Sequence, residues 1–141
     1  KKSNKKTTVV NLRSIAQFDA LVDQNQPMVI DFWATWCGPC RTMAPVFDAV
    51  SKEFEGRSLF LKVDTERLPE LAAAFGIRSI PTLLAMNGRN VVDSRVGVVD
   101  AKSLRKMVAL AIDKSQNVGW GQRIKRLIRG GDQSTAPVSS Q

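Results

Sequence analysis

The 141-residue sequence contains no histidine, no tyrosine and only two cysteines. Without histidine, the most frequent general base and the commonest metal ligand are both missing. Proton transfer near neutral pH must therefore use another group. Two cysteines cannot complete a zinc site alone, and no further ligands stand near them in the chain. A structural disulfide normally staples distant segments, whereas Cys37 and Cys40 are separated by only two residues, a spacing suited to redox chemistry. No apolar run approaches the roughly 18 residues of a membrane-spanning helix; the longest are strand-sized.

What is present suits one globular domain with a proper core and is too short for two. The net charge of +8 is unevenly placed. Residues 1–6 hold four lysines, and residues 113–141 hold five basic against two acidic residues. The body, 7–112, holds twelve basic and eleven acidic residues, so acidic partners would be met by the ends.

The pattern along the body alternates strands and helices. Thr8–Leu12 reads as a short strand, and Ser14 as the cap of a helix carrying Ile15, Phe18, Leu21 and Val22 on one face. Pro27 breaks the chain there, and Met28–Trp33 has the near-continuous apolar character of a strand buried on both faces, interrupted by Asp31. Met43, Val46, Phe47, Val50 and Phe54 recur at helical steps, predicting a helix from about Cys37 to Glu55, kinked at Pro45 and closed by Gly56. Ser58–Val63 reads as a strand and Pro69–Phe75 as a short helix ended by Gly76. Thr82–Met86 and Val91–Val96 flank Asn87-Gly88-Arg89-Asn90, a hairpin signal because Asn-Gly accepts positive φ. Asp100 or Ser103 opens a last helix through Leu104, Val108 and Ile112. Such an order predicts an α/β fold: a mixed central sheet, parallel first and then antiparallel, with helices on both faces.

Cys-x-x-Cys at the start of a helix supplies both parts of thiol–disulfide exchange, an attacking thiolate and a nearby resolving thiol. Cys37 at the helix N-terminus would face unpaired N–H groups and the macrodipole, which lower a thiol's pKa from roughly 8.5 towards neutrality. Cys40, one turn on and expected to lie deeper, would stay protonated until a base calls on it. Asp31 fits that base, since a carboxylate in an apolar strand has its pKa raised by desolvation. The alternative is that Asp31 is a satisfied polar group of the core. Lys62, in the next strand, would neighbour Asp31 and tune it. Gly38-Pro39 stiffens the loop and leaves room for a substrate backbone. Ile80-Pro81 before a strand reads either as a plain strand start or as a cis bond exposing backbone to substrate; general frequencies favour the former.

Asp31-Phe32-Trp33-Ala34-Thr35-Trp36-Cys37-Gly38-Pro39-Cys40-Arg41, followed by Pro45, resembles the active-site segment of the thioredoxin family. Lys62-Val63-Asp64, Phe75 to Leu83, Asn87-Gly88 and Val96-Gly97 resemble its later segments, so the likeness covers about 8–112 and a domain bounded at 8–114. Thr35 and Ser79 depart slightly from the commonest versions. The resemblance implies a protein-disulfide reductase in which Cys37 attacks, Cys40 resolves, Asp31 and Lys62 form the buried acid–lysine pair, and Pro81 is cis. It implies an apolar substrate patch of Trp36, Gly38, Pro39, Ile80, Pro81, Val96, Gly97 and Val98. Partners implied are disulfide-containing proteins and a thioredoxin reductase drawing on NADPH; the chain itself binds no cofactor and no metal. Gly-Pro between the cysteines resembles the reducing members, so a cytoplasmic setting is expected. Because Lys1 rather than Met opens the chain, the alternative is an exported oxidase or isomerase whose leader has been removed.

Residues 1–7 read as a basic disordered segment, and 115–141 extend beyond the family's fold. Trp120, Ile124, Leu127 and Ile128 share one arc of a helix over about 119–129, and Arg123, Lys125, Arg126 and Arg129 the other, with a disordered tail after Gly131. So short a helix needs a host. The candidates are the chain's own body or a second copy, an anionic membrane, or a protein partner. Nucleic acid is disfavoured, because no aromatic side chains are interleaved to stack bases. A thioredoxin-like scaffold using this tail for binding is the non-enzymatic alternative, though a scaffold has no chemical need for the cysteine motif.

Overall fold

The structure, a computed structural model, describes residues 8–113. The expectations for residues 1–7 and 115–141 fall outside them. Nine elements alternate along the chain: β1 (Val9–Asn11), α1 (Ile15–Val22), β2 (Pro27–Trp33), α2 (Gly38–Glu53), β3 (Leu59–Asp64), α3 (Pro69–Ala74), β4 (Thr82–Asn87), β5 (Asn90–Val96) and α4 (Ala101–Ile112). The five strands form one sheet in the order β1-β3-β2-β4-β5. The pairs β1–β3 and β2–β3 are parallel, while β2–β4 and β4–β5 are antiparallel. The mixed sheet expected from the pattern is the one observed.

Strand alternation sorts the core into two layers. Met28, Ile30 and Phe32 of β2 pack on Phe18 and Val22 of α1 and Leu71 of α3. Phe18 and Phe32 each place their rings 5.9 Å from that of Phe75, which closes this layer. On the other face Val29 joins Met43, Phe47 and Val50 of α2 and Leu104, Met107 and Val108 of α4. Asp31 stands in phase with Val29, and Lys62 with Phe60, so both belong to the face that α2 covers. β2 is almost wholly buried, and its C-terminal end delivers the chain directly into the Cys37 loop. That end, with Cys37 and Cys40 beyond it, is one pole of the domain. The opposite pole holds the start of β2, the β4–β5 turn and the end of α4, where buried Asn87 donates its amide to the carbonyl of Ala111 at 2.7 Å.

Several boundaries move from the sequence expectation for identifiable reasons. Pro27 does not break the chain; it is the first residue of β2, where a missing N–H is tolerated. α2 ends at Glu53 instead of Glu55, because Phe54 and Glu55 turn back to the carbonyls of Ser51 and Lys52 with three-residue closures. Gly56, at φ +84°, lies beyond that tightened end. Asp100, not Ser103, caps α4: its carboxylate accepts the N–H of Ser103 at 2.8 Å.

The hairpin forms over two central residues, but only Gly88 takes a positive φ, at +60°; Asn87 remains in β4. A Cβ on Gly88 would also lie 2.7 Å from Oδ1 of Asn25. Gly88→Ala should therefore lower stability by about 1–2 kcal/mol, chiefly through the left-handed backbone. Denaturant midpoints would show this shift. Turnover at the far pole should stay unchanged.

Candidate active site

The first turn of α2 is where the site is built. Cys37 is the N-cap residue in extended conformation (φ −94°, ψ 109°), Gly38 and Pro39 are the first helical positions, and Cys40 follows within the turn. Proline is favoured there because its missing N–H would have had no intrahelical partner. The backbone N–H of Cys40 donates to Sγ of Cys37 at 3.2 Å. The sulfur thus does the work of a capping oxygen at the positive end of a 16-residue helix. The cysteines form a disulfide with Cα atoms 5.2 Å apart. Their burial is nearly equal, 4% exposed for Cys37 and 3% for Cys40, so Cys40 is not the markedly deeper residue expected from the sequence. The loop before them is held by Arg41, whose guanidinium donates to the carbonyl of Thr35 at 2.9 Å.

Beneath α2, Asp31 is fully buried and neither carboxylate oxygen has a hydrogen-bond partner among the described residues. Burial raises its pKa from 3.8 to about 6, outweighing the opposing pull of Lys62. Asp31 is therefore no satisfied core polar group. Lys62 is its register partner across the parallel β2–β3 pair. The ammonium lies 4.8 Å from the centroid of the Trp33 ring, so it is held as a cation–π contact instead of a hydrogen bond to the carboxylate.

The third component is the loop entering β4. The Ile80–Pro81 bond is cis, and the carbonyl oxygen of Ile80 lies 3.8 Å from Sγ of Cys37. Ile80 packs with Trp33, Ala34, Cys37 and Cys40 as one cluster. The carbonyl of Pro81 accepts the N–H of Gly97 at 2.8 Å, which brings the end of β5 alongside. Gly97 sits at φ +96°, a conformation costly for any other residue. Gly38 and Pro39 are exposed beside the disulfide. Trp36, Val96 and Val98 are 64%, 68% and 45% exposed, large apolar side chains at the pole of Cys37 and Cys40. A surface of this kind fits an apolar, extended substrate segment.

A buried carboxylate without a hydrogen-bond partner among the described residues, a disulfide capping a helix and a proline loop against Sγ of Cys37 together suit thiol–disulfide exchange. The thioredoxin family model matches residues 9–110. The chain belongs to the thioredoxin family. It is similar to thioredoxin 1 of a Nostoc species, 45% identical over 84 residues that make up 60% of this chain and 78% of the relative. Thioredoxin of Chlorobaculum thiosulfatiphilum is 37% identical over 94 residues, covering 67% and 83% of the two chains. Among solved structures, Malassezia sympodialis thioredoxin superposes with a TM-score of 0.70 at 31% identity, over 79% of this chain and 97% of that one. As a thioredoxin-family protein with an intact Cys-Gly-Pro-Cys pair, the chain is a thiol–disulfide oxidoreductase and a protein-disulfide reductase.

Three contacts at this family's site had no signal in the linear sequence. Glu66, in the β3–α3 loop, accepts the indole N–H of exposed Trp36 and is itself placed by Asp64, whose carboxylate accepts the Glu66 N–H at 2.9 Å. Met43 reads as an ordinary apolar position of α2, yet its sulfur receives the N–H of Val99 at 3.5 Å and ties α2 to the loop after Val98. Thr82 donates its hydroxyl to the carbonyl of Ser79 at 2.6 Å, bracing the Pro81 loop. Each joins segments well apart in the chain or depends on loop geometry, which residue periodicity does not encode.

Proposed function

We propose that Cys37 is the nucleophile, Cys40 the resolving thiol and Asp31 the base of a reductase acting on protein disulfides. The capping of α2 by Sγ of Cys37 carries this reading, because those N–H groups favour negative charge on that sulfur. In the reduced protein the Cys37 thiolate attacks a substrate disulfide, forming a mixed disulfide and expelling one substrate thiolate. Asp31 accepts the Cys40 proton, and the Cys40 thiolate attacks Sγ of Cys37. The second substrate thiolate leaves, and the Cys37–Cys40 bond stores the two electrons' worth of oxidation. Lys62 is the residue that limits the rise in the Asp31 pKa.

Substrate lies in an extended form across Trp36, Gly38, Pro39, Ile80, Pro81, Val96, Gly97 and Val98. The exposure of Trp36, Val96 and Val98 supports this placement, as do the open surroundings of Gly38 and Gly97, where an added Cβ would meet nothing within 4 Å. A thioredoxin reductase returns the disulfide to the dithiol, and the cytoplasm is the compartment whose reducing poise suits that cycle. Equilibration of the Cys37–Cys40 couple in redox buffers should give about −270 mV, the value associated with thioredoxin. A couple nearer −120 to −180 mV, typical of oxidases and isomerases, would reverse the assigned direction and the compartment.

A further inference from the structure

Val96 and Val98 form an exposed apolar wall beside the disulfide, yet the chain that carries Val98 belongs to no regular element. β5 ends at Val96 and α4 begins at Ala101, so residues 97–100 have neither a strand ladder nor a helix to hold them. Three hydrogen bonds do that work instead. The N–H of Gly97 donates to the carbonyl of Pro81 at 2.8 Å, which fixes the near end to the cis-proline loop. The carboxylate of Asp100 accepts the N–H of Ser103 at 2.8 Å, which fixes the far end to α4. Between them, the N–H of Val99 donates to Sδ of Met43 at 3.5 Å.

Met43 lies three residues after Cys40 on α2, close to one helical turn, and is fully buried. Its side chain packs in the same core layer as the partly buried side chain of Val99. Packing by itself does not call for sulfur there, since leucine fills a methionine site at little cost. A thioether adds what an aliphatic chain lacks, a weak acceptor within an apolar surface. The Val99 N–H lies outside every ladder, and a buried donor left without an acceptor carries a free-energy penalty. The helix that presents Cys37 and Cys40 therefore also sets the place of the wall beside them.

We propose that Met43 is a positioning residue for the recognition of protein disulfides. Its sulfur holds Val99, and through it Val98, at a fixed place relative to the Cys37–Cys40 turn. An extended protein segment that lies along the wall gains from this preorganisation. A small disulfide, which need meet only Cys37, does not. The proposal rests on the reading of Val96 and Val98 as substrate surface, and the test separates the two.

Met43→Leu keeps the apolar volume and removes the acceptor. Its KM for insulin should rise by about three- to tenfold, the range of one lost hydrogen bond, with kcat nearly unchanged. Turnover of hydroxyethyl disulfide and the reduction potential of the Cys37–Cys40 couple should not move. Hydrogen exchange of the Val99 amide, followed by NMR, should quicken by about tenfold or more as the N–H is released to water. An unchanged insulin KM overturns the proposal. So does an equal loss on insulin and hydroxyethyl disulfide, which would mark general damage to the core. Unaltered exchange at Val99 overturns it as well, because the sulfur would then not be holding the wall. Val98→Ser should raise the insulin KM in its own right. If it does so and Met43→Leu does not, the role of Met43 alone falls; if neither does, the substrate surface is misplaced and both readings fall.

Discussion

Cys37→Ser should reduce turnover of protein disulfides to the uncatalysed background, while Cys40→Ser should still attack substrate and then stall as a stable mixed disulfide. The asymmetry follows from the first turn of α2. Sγ of Cys37 caps the helix and receives the N–H of Cys40, so it is the sulfur at which negative charge is favoured. It also faces the carbonyl of Ile80 and the exposed apolar surface where substrate can lie. A hydroxyl there is not ionised near neutral pH and cannot enter exchange. A hydroxyl at position 40 leaves the attack intact but removes the thiolate that would release the adduct. Mass spectrometry after incubation with a disulfide substrate should find one substrate chain per molecule of Cys40→Ser and none on Cys37→Ser. An adduct on Cys40 of the Cys37→Ser variant, formed at a comparable rate, would exchange the two roles.

Asp31→Asn should slow exchange and stabilise the oxidised protein at the same time. Its carboxylate is fully buried without hydrogen-bond partners among the described residues, and burial raises its pKa to about 6 against an ordinary 3.8. A carboxylate that binds its proton more tightly in the folded state costs nothing below the unfolded pKa, where both states are protonated. Between pH 3.8 and about 6 the folded protein holds more protons than the unfolded chain, so its stability falls as pH rises. Above about pH 6 the penalty is complete, on the order of 3 kcal/mol for the shift of roughly two pKa units. Asp31→Asn should therefore match the parent at pH 4 and exceed it by up to that amount at pH 8 in denaturant unfolding of the disulfide form. The gain is not assigned to lost contacts; it reflects a buried charge that no longer has to be accommodated.

The kinetic cost of the same substitution falls on resolution. With the base gone, the Cys40 proton must leave to solvent, and the rate near neutral pH should drop by about 100-fold, the lower end for a positioned base. The deficit should shrink in alkaline solution as thiols ionise unaided. A rate unchanged across pH 6–9 would show that Asp31 shapes the core without serving the chemistry. Stability and activity thus move in opposite directions at one residue, the pattern expected of a functional group placed at an energetic cost.

Much of the fold was legible because its signals are local. Ser14 and Asp100 cap helices with oxygen acceptors, Asn-Gly marks the β4–β5 turn, and alternate residues of β2 divide between the two core layers. Asp31 stood out for the same reason: a lone carboxylate in an apolar strand violates the pattern around it. Where boundaries shifted, competing backbone geometry decided them, as at the tightened end of α2 and at Pro27 on the lip of β2. The equal burial of Cys37 and Cys40 was hidden because it depends on the bond between them and on Ile80, 40 residues further along the chain.

Spacing and side-chain type alone specified a Cys-x-x-Cys pair at a helix start, a carboxylate in the preceding strand and a mixed α/β order, since these depend on neighbours within a turn or a strand. Tertiary structure alone decided that Lys62 stands over Trp33 while the Asp31 oxygens remain unpartnered, that the carbonyl of Ile80 meets Sγ of Cys37, and that Glu66 holds Trp36. It also decided that the end of α4 lies at the pole away from the dithiol, where Ala111 accepts the Asn87 amide. These facts join residues far apart in sequence. They exist only once strand register and helix packing have chosen which side chains share a space, and that choice is made by burial of the whole core.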